Sequence, residues 1–207
     1  MLKNDFNHKL AEEFLLSLEN ILKSKEDFTK NIDELYKQYL GFDCETLYSL
    51  PMSELDTLLV HNRLKDYSKT CILGILFIQE WYINNSGDIE SFNKLVKGFS
   101  ILKDVYLEDK ETLLKSYKDY LLKASNTLMD YEISTDLKKD LVQVFFKDTD
   151  FEQVDELIFE ILDEDSSYKP MALDLYNKML LIDDETLKSK NITKDEIEDA
   201  KASINNI

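Results

Sequence analysis

Apolar side chains recur at steps of three and four along almost the whole chain, and very little interrupts them. Only 4 Gly and 2 Pro are spread over 207 residues. A step of three and four keeps side chains on one stripe of an α-helix, whereas a strand needs alternation. The pattern therefore predicts an all-α fold of antiparallel helical hairpins, stacked as a repeat array or gathered into an irregular bundle. Hydrophobic content of 43% makes the chain too apolar for a disordered one despite its charge. The length fits a single helical domain over 1–207, with an N-terminal hairpin subregion 1–65 packed on a repeat-like region 66–207.

Phe6, Leu10, Phe14, Leu18, Ile21 and Leu22 form the first stripe, and Phe28, Ile32, Leu35, Tyr36, Tyr39 and Leu40 the second. The short polar turn between them predicts a hairpin. Gly41 follows the last apolar pair and fits the left-handed position that ends a helix. Pro51 divides residues 42–65 into two short helices, because it cannot continue the first. A helix over 66–84 carries apolar residues nearly all round, as a central buried element does, and its Gly74 lets a neighbour approach closely. Asp88 starts the next helix, whose stripe is Phe92, Leu95, Val96, Phe99 and Leu102. Leu114, Tyr117, Leu121, Ala124 and Leu128 step three-four-three-four like a coiled-coil seam. Ser134 or Thr135 caps a helix with Leu141, Val144 and Phe145. Phe151 to Leu162 forms another, and Pro170 sits in the tolerant first turn of the next. Thr193-Lys194-Asp195-Glu196 is a capping box that opens a terminal helix.

Three helix starts look alike: Asp27-Phe28, Asp88-Ile89 and Asp150-Phe151. Their spacing is near twice the ~34-residue period of tetratricopeptide repeats, although Phe92 and Val154 stand where a small residue is expected. At larger scale, Leu40-Gly41-Phe42-Asp43, Leu47-Tyr48-Ser49-Leu50, Ser53-Glu54-Leu55, the stretch Ile133–Leu162 and Asn191-Ile192-Thr193-Lys194-Asp195-Glu196 carry a resemblance. The chain resembles a family of uncharacterised bacterial proteins, a domain of unknown function with tetratricopeptide-like helices. The resemblance implies a fold and brings no active site with it.

Charge narrows the partners. The chain carries 42 acidic against 25 basic residues, a net −17, and its one arginine is Arg63. Phosphate backbones and anionic membranes both need a positive surface, so nucleic acid and membrane are excluded as expected partners. An acidic field favours a basic one. The longest apolar stretch, Cys71 to Ile83, is broken by Gln79 and Glu80 and falls short of the ~20 residues that span a bilayer. Two cysteines are no disulfide framework, and Met1-Leu2-Lys3-Asn4-Asp5 opens no signal-peptide core. The expected location is the reducing cytoplasm.

No constellation of residues carries chemistry. His8 and His61 have no cysteine or second histidine at ligand spacing. Asp148, Asp150 and Glu152 imitate a calcium loop, but Gln153 stands where its glycine is required and Phe159 where its last glutamate is. A phosphate-cradling glycine loop is absent. Cys71 reads as a small buried hydrophobe, and Cys44 has no local catalytic partner. Catalytic, cofactor and metal residues are therefore all expected to be none. Trp81, Tyr82, Tyr117 and Tyr120 are the candidates for an aromatic peptide groove. Of these, Trp81 is expected in the core, and Tyr120, off the Leu114–Leu128 seam, is expected at an exposed contact. The function that remains is a non-enzymatic helical-repeat protein binding a peptide or protein. A homo-oligomeric structural protein is the alternative, and a small-molecule binder or enzyme with a pocket between helices comes third.

Overall fold

The computed structural model describes residues 2–24, 28–60, 66–84 and 87–205, with side chains over 9–24, 30–60, 66–84 and 87–204. The side chains of Phe6, His8 and Phe28, and the whole of Asp27, His61 and Arg63, lie outside what is described. Every regular element among the described residues is helical. The chain gathers into two compact units, Met1–Asp130 and Tyr131–Ile207. The division expected at 65/66 falls inside the first unit, where elements on both sides of it pack together.

In the first unit α1 (Leu2–Lys23) packs on α2 (Phe28–Leu35). Phe14 meets Tyr39 edge to face at 5.4 Å, and Ser17 Oγ lies 2.8 Å from the Tyr39 hydroxyl. The second stripe does not end as a plain α-helix. Tyr36–Leu40 forms a π turn, in which the Gly41 amide donates to the Tyr36 carbonyl five residues back. The extra residue per turn keeps Tyr36, Tyr39 and Leu40 buried together. Gly41 then takes φ +84, the left-handed conformation that costs glycine little. The short helices α3 (Cys44–Ser49) and α4 (Met52–Leu59) come next, divided by Leu50 and Pro51, both extended. Asp43 caps α3 by accepting from the Thr46 amide at 2.8 Å.

The middle of this unit is α5 (Ser68–Asn84), buried without a break from Thr70 to Trp81. Its main neighbour is α6 (Ile89–Leu107), started by Asp88, whose carboxylate accepts from the Ser91 amide. The two helices cross at Gly74 and Gly98. A Cβ on Gly98 would stand 2.7 Å from the Gly74 carbonyl oxygen, and one on Gly74 would stand 2.6 Å from Leu102 Cδ2. At Gly98 the obstacle is backbone, whereas at Gly74 the nearest atoms belong to the Leu102 side chain. The connection from α6 returns to the start of α5: the Tyr67 amide donates to the Glu111 carbonyl, and Leu113 donates its amide to Ser68 Oγ. The helix α7 (Tyr117–Met129) buries Leu121, Ala124 and Leu128 of the expected seam together with Ser125, while Tyr117 is half-buried at its start and Leu114, also buried, precedes the helix.

In the second unit α8 (Thr135–Asp148) packs on α9 (Phe151–Glu164) through Leu141, Val144, Phe145, Phe151, Val154, Leu157, Ile158 and Ile161. Ser134 is the cap of α8, accepting from Leu137. Asp150 occupies the cap position of α9 without accepting such a bond, unlike Asp88. Lys138 reaches Glu160 at 2.7 Å and Glu164 at 2.8 Å, and Lys139 reaches Asp165 at 2.8 Å. The remaining helices are α10 (Lys169–Leu180), α11 (Asp184–Ser189) and α12 (Lys194–Asn205). The capping box forms with both of its bonds: Glu196 accepts from the Thr193 amide at 2.8 Å, and Thr193 Oγ1 accepts from the Glu196 amide at 3.3 Å. Tyr176, fully buried, donates its hydroxyl to Asp155.

Candidate functional site

Two features of the first unit combine polar chemistry with burial, and both are built on adjacent residues of α5. Glu80 is 5% exposed in the middle of an apolar helix. Such a charge requires partners, and it has three. Tyr36 donates its hydroxyl at 2.5 Å, Cys44 its thiol at 3.2 Å and Lys94 its ammonium at 2.7 Å. Three elements bring these groups together: the π turn, the start of α3 and the first half of α6. Burial and then the Glu80 charge push the Tyr36 hydroxyl well above its usual range. The same two causes push the Cys44 thiol up to about 12. Burial works to lower the Lys94 ammonium, but the hydrogen bond and charge of Glu80 outweigh it and raise the group above the ordinary lysine value.

Such a set holds protons in place. Nucleophilic attack by cysteine needs the thiolate, and a thiol at about 12 beside a carboxylate stays protonated at neutral pH. Cys71, fully buried, is likewise raised to about 12, mainly by burial. One turn beyond Lys94, Lys97 donates to the Tyr48 and Leu50 carbonyls at 2.5 and 2.7 Å, closing the end of α3. Its ammonium also lies 5.2 Å from the Tyr48 ring centre. These contacts tie α3 to α6 and serve the architecture.

The second feature is an open groove of about 460 Å³, lined by Leu22 of α1, by Gln79, Tyr82 and Ile83 of α5, and by Asp119, Tyr120 and Lys123 of α7. Gln79, Tyr82 and Ile83 are three and four residues apart, so one face of α5 forms the floor. Tyr82 is fixed by its own hydroxyl, 2.6 Å from Thr127 Oγ1 and donating to the Lys123 carbonyl at 3.1 Å. The Lys123 ammonium stands 3.8 Å from the Tyr82 ring centre. The Tyr120 hydroxyl is raised by burial and by the neighbouring Asp119 and Glu19 carboxylates, so it remains a donor.

Of the four aromatic candidates read from the sequence, Tyr82 and Tyr120 meet in this groove. Trp81 is in the core, edge to face with Phe92 at 5.9 Å, and Tyr117 is half-buried away from the lining. The sequence reading did not assign Gln79, Leu22 or Lys123 to a site, nor the set around Glu80. One signal was present: Gln79 and Glu80 are the polar pair that interrupts the run Cys71–Ile83. No described helix is long and apolar enough to cross a membrane. No protein-family model, curated protein or solved structure matches this chain.

Proposed function

We propose that this protein is a non-enzymatic helical scaffold, of the stacked-hairpin, tetratricopeptide-like kind, that binds a protein or peptide in the groove between α1, α5 and α7. The observation that carries the reading is the pairing of Tyr82 and Tyr120 with Leu22 and Ile83 around one concavity. Rigid aromatic side chains beside apolar ones are the composition of protein contact sites, and they give large contact area at low entropic cost. The volume lies in the lower part of the ~300–1,000 Å³ range of ligand sites. The polar cluster around Glu80 supports binding over catalysis, because its thiol is kept neutral. The net charge of −17 supports a partner with basic residues outside the segment that enters the groove, steered in by the acidic field. Two free buried cysteines accord with a reducing, cytoplasmic setting.

The test is a photo-crosslinking residue at position 120 in cells that naturally make the protein, followed by reconstitution with the purified partner. The expected result is a crosslink to a different protein, whose binding is weakened at least ~10-fold by Leu22→Asp while helicity is unchanged. Crosslinks only to a second copy of the chain would replace this reading with self-association. Crosslinks to nothing would remove it.

A further inference from the structure

How the groove holds its ligand, an inference that rests on the peptide-binding reading, turns on Gln79. This residue is 5% exposed and lines the floor. Its side-chain amide makes no hydrogen bond among the described residues, in contrast to Glu80 beside it, which has three. Among the described residues the sealed side-chain atoms without a partner are Thr70 Oγ1 and Ser116 Oγ, so the Gln79 amide, on a largely buried residue, still opens onto the groove floor, where a ligand can take the place of water. A primary amide offers N–H donors and a carbonyl acceptor side by side. A trans peptide unit points its own N–H and C=O to opposite sides, so the match for both at once is the N–H and C=O of a single residue in an extended chain, which lie on the same edge. Each peptide unit of an extended chain presents one C=O and one N–H that are unsatisfied within its own backbone. A helical ligand uses those groups internally and would cover Gln79 without pairing it.

The rim agrees. Asp119 and Lys123 stand one helical turn apart on α7, of opposite sign, and neither has an ion-pair partner within the described residues. A balanced rim attracts neither a phosphate nor a polycation and suits an uncharged backbone flanked by apolar side chains. We infer that the groove binds an extended peptide segment, with the Gln79 amide paired to the backbone N–H and C=O of one of its residues and apolar side chains seated on Tyr82, Ile83 and Tyr120.

The probe is acetyl-leucine N-methylamide, a minimal extended peptide with one apolar side chain, titrated into the full isotope-labelled chain and followed by NMR. The expected result is saturable movement of the Gln79 side-chain NH2 signals together with Ile83, Tyr120 and Lys123. Gln79→Leu, which keeps the volume and removes the amide, is expected to weaken binding ~5-fold or more while retaining the melting temperature. An analogue methylated on both amide nitrogens is expected to show the same loss on the unaltered chain, so the result does not depend on how the variant folds. Groove signals that move while those of the Gln79 NH2 stay still, or equal affinity for the methylated analogue, would overturn backbone pairing and leave an apolar peptide groove standing. Absence of any groove response from the probe would overturn both.

Discussion

Glu80 shows most directly how one side chain organises distant sequence. Its partners Tyr36, Cys44 and Lys94 are 44, 36 and 14 residues away, and each arrives on a different element. Removing one member of a buried pair is costly because the other charge stays behind uncompensated. Glu80→Gln should therefore destabilise the chain by about 2–4 kcal/mol, measured by urea unfolding, since both side chains are largely shielded. Glu80→Leu combined with Lys94→Met should recover a large part of that loss. A double variant as unstable as the two single losses together would mean that the pair is not energetically coupled. Leu121, fully buried on the α7 seam, gives the apolar counterpart. Leu121→Asp should cost ~3 kcal/mol or more, because a carboxylate would enter an apolar contact without a partner. An unchanged urea midpoint would place that stripe in solvent.

Elements were legible wherever their ends are set locally. Gly41 and Pro170 act through their own backbone conformation, and Asp88 and the Thr193–Glu196 box through contacts within one turn, so everything each needs is local in the sequence. The π turn was not legible, because Leu35, Tyr36, Tyr39 and Leu40 satisfy an ordinary helical stripe equally well. Gly98 was also missed: in sequence it weakens a helix, and its value appears only where α6 meets Gly74. Gly98→Ala should lower the melting temperature by several degrees, since the obstacle is a backbone carbonyl that cannot swing aside. The α8–α9 pair is sensitive to acid instead. The Lys139 and Ser167 hydrogen bonds lower Asp165 from 3.8 to about 2, and Lys138, with Thr135, lowers Glu164 below 4.5. On acidification the unfolded chain takes up these protons first. The stabilisation is thus complete above pH 4.5 and lost as pH falls towards about 2. Lys139→Met should flatten the melting-temperature profile across that window. A profile of unchanged slope would mean that the Asp165 contact contributes nothing.

For the whole molecule, helical class was readable from period alone, while the groove was not. Its lining comes from three helices whose adjacency no local spacing encodes. Tyr82 and Tyr120 could be nominated as aromatics off the core stripes, although Tyr120, expected at an exposed contact, is half-buried like Tyr82. Gln79 showed only as a polar break in the run Cys71–Ile83, which does not say that it faces a groove. Charge is the other property of this scale. The 77 residues from Tyr131 to Ile207 hold 20 of the 42 acidic residues and 9 of the 25 basic ones. Self-repulsion of that kind is screened by salt. Melting temperature should therefore rise between low and physiological ionic strength, and gel-shift titration should show no appreciable DNA or RNA binding at physiological salt. Micromolar binding to mixed nucleic acids would contradict the second expectation.

The π turn has a consequence for how this chain tolerates change in length. Lys37 and Gln38, both exposed, lie within it, and neither side chain makes a hydrogen bond or ion pair among the described residues. Yet losing one would relax the turn to ordinary α geometry and rotate α2 by about 100° relative to Gly41 and α3. Tyr36 and Gly41 could then no longer both keep their places, and the hydroxyl on Glu80 or the turn into α3 would be forfeited. Substitution at these two positions should be nearly free, while deletion of a single codon there should be close to intolerable.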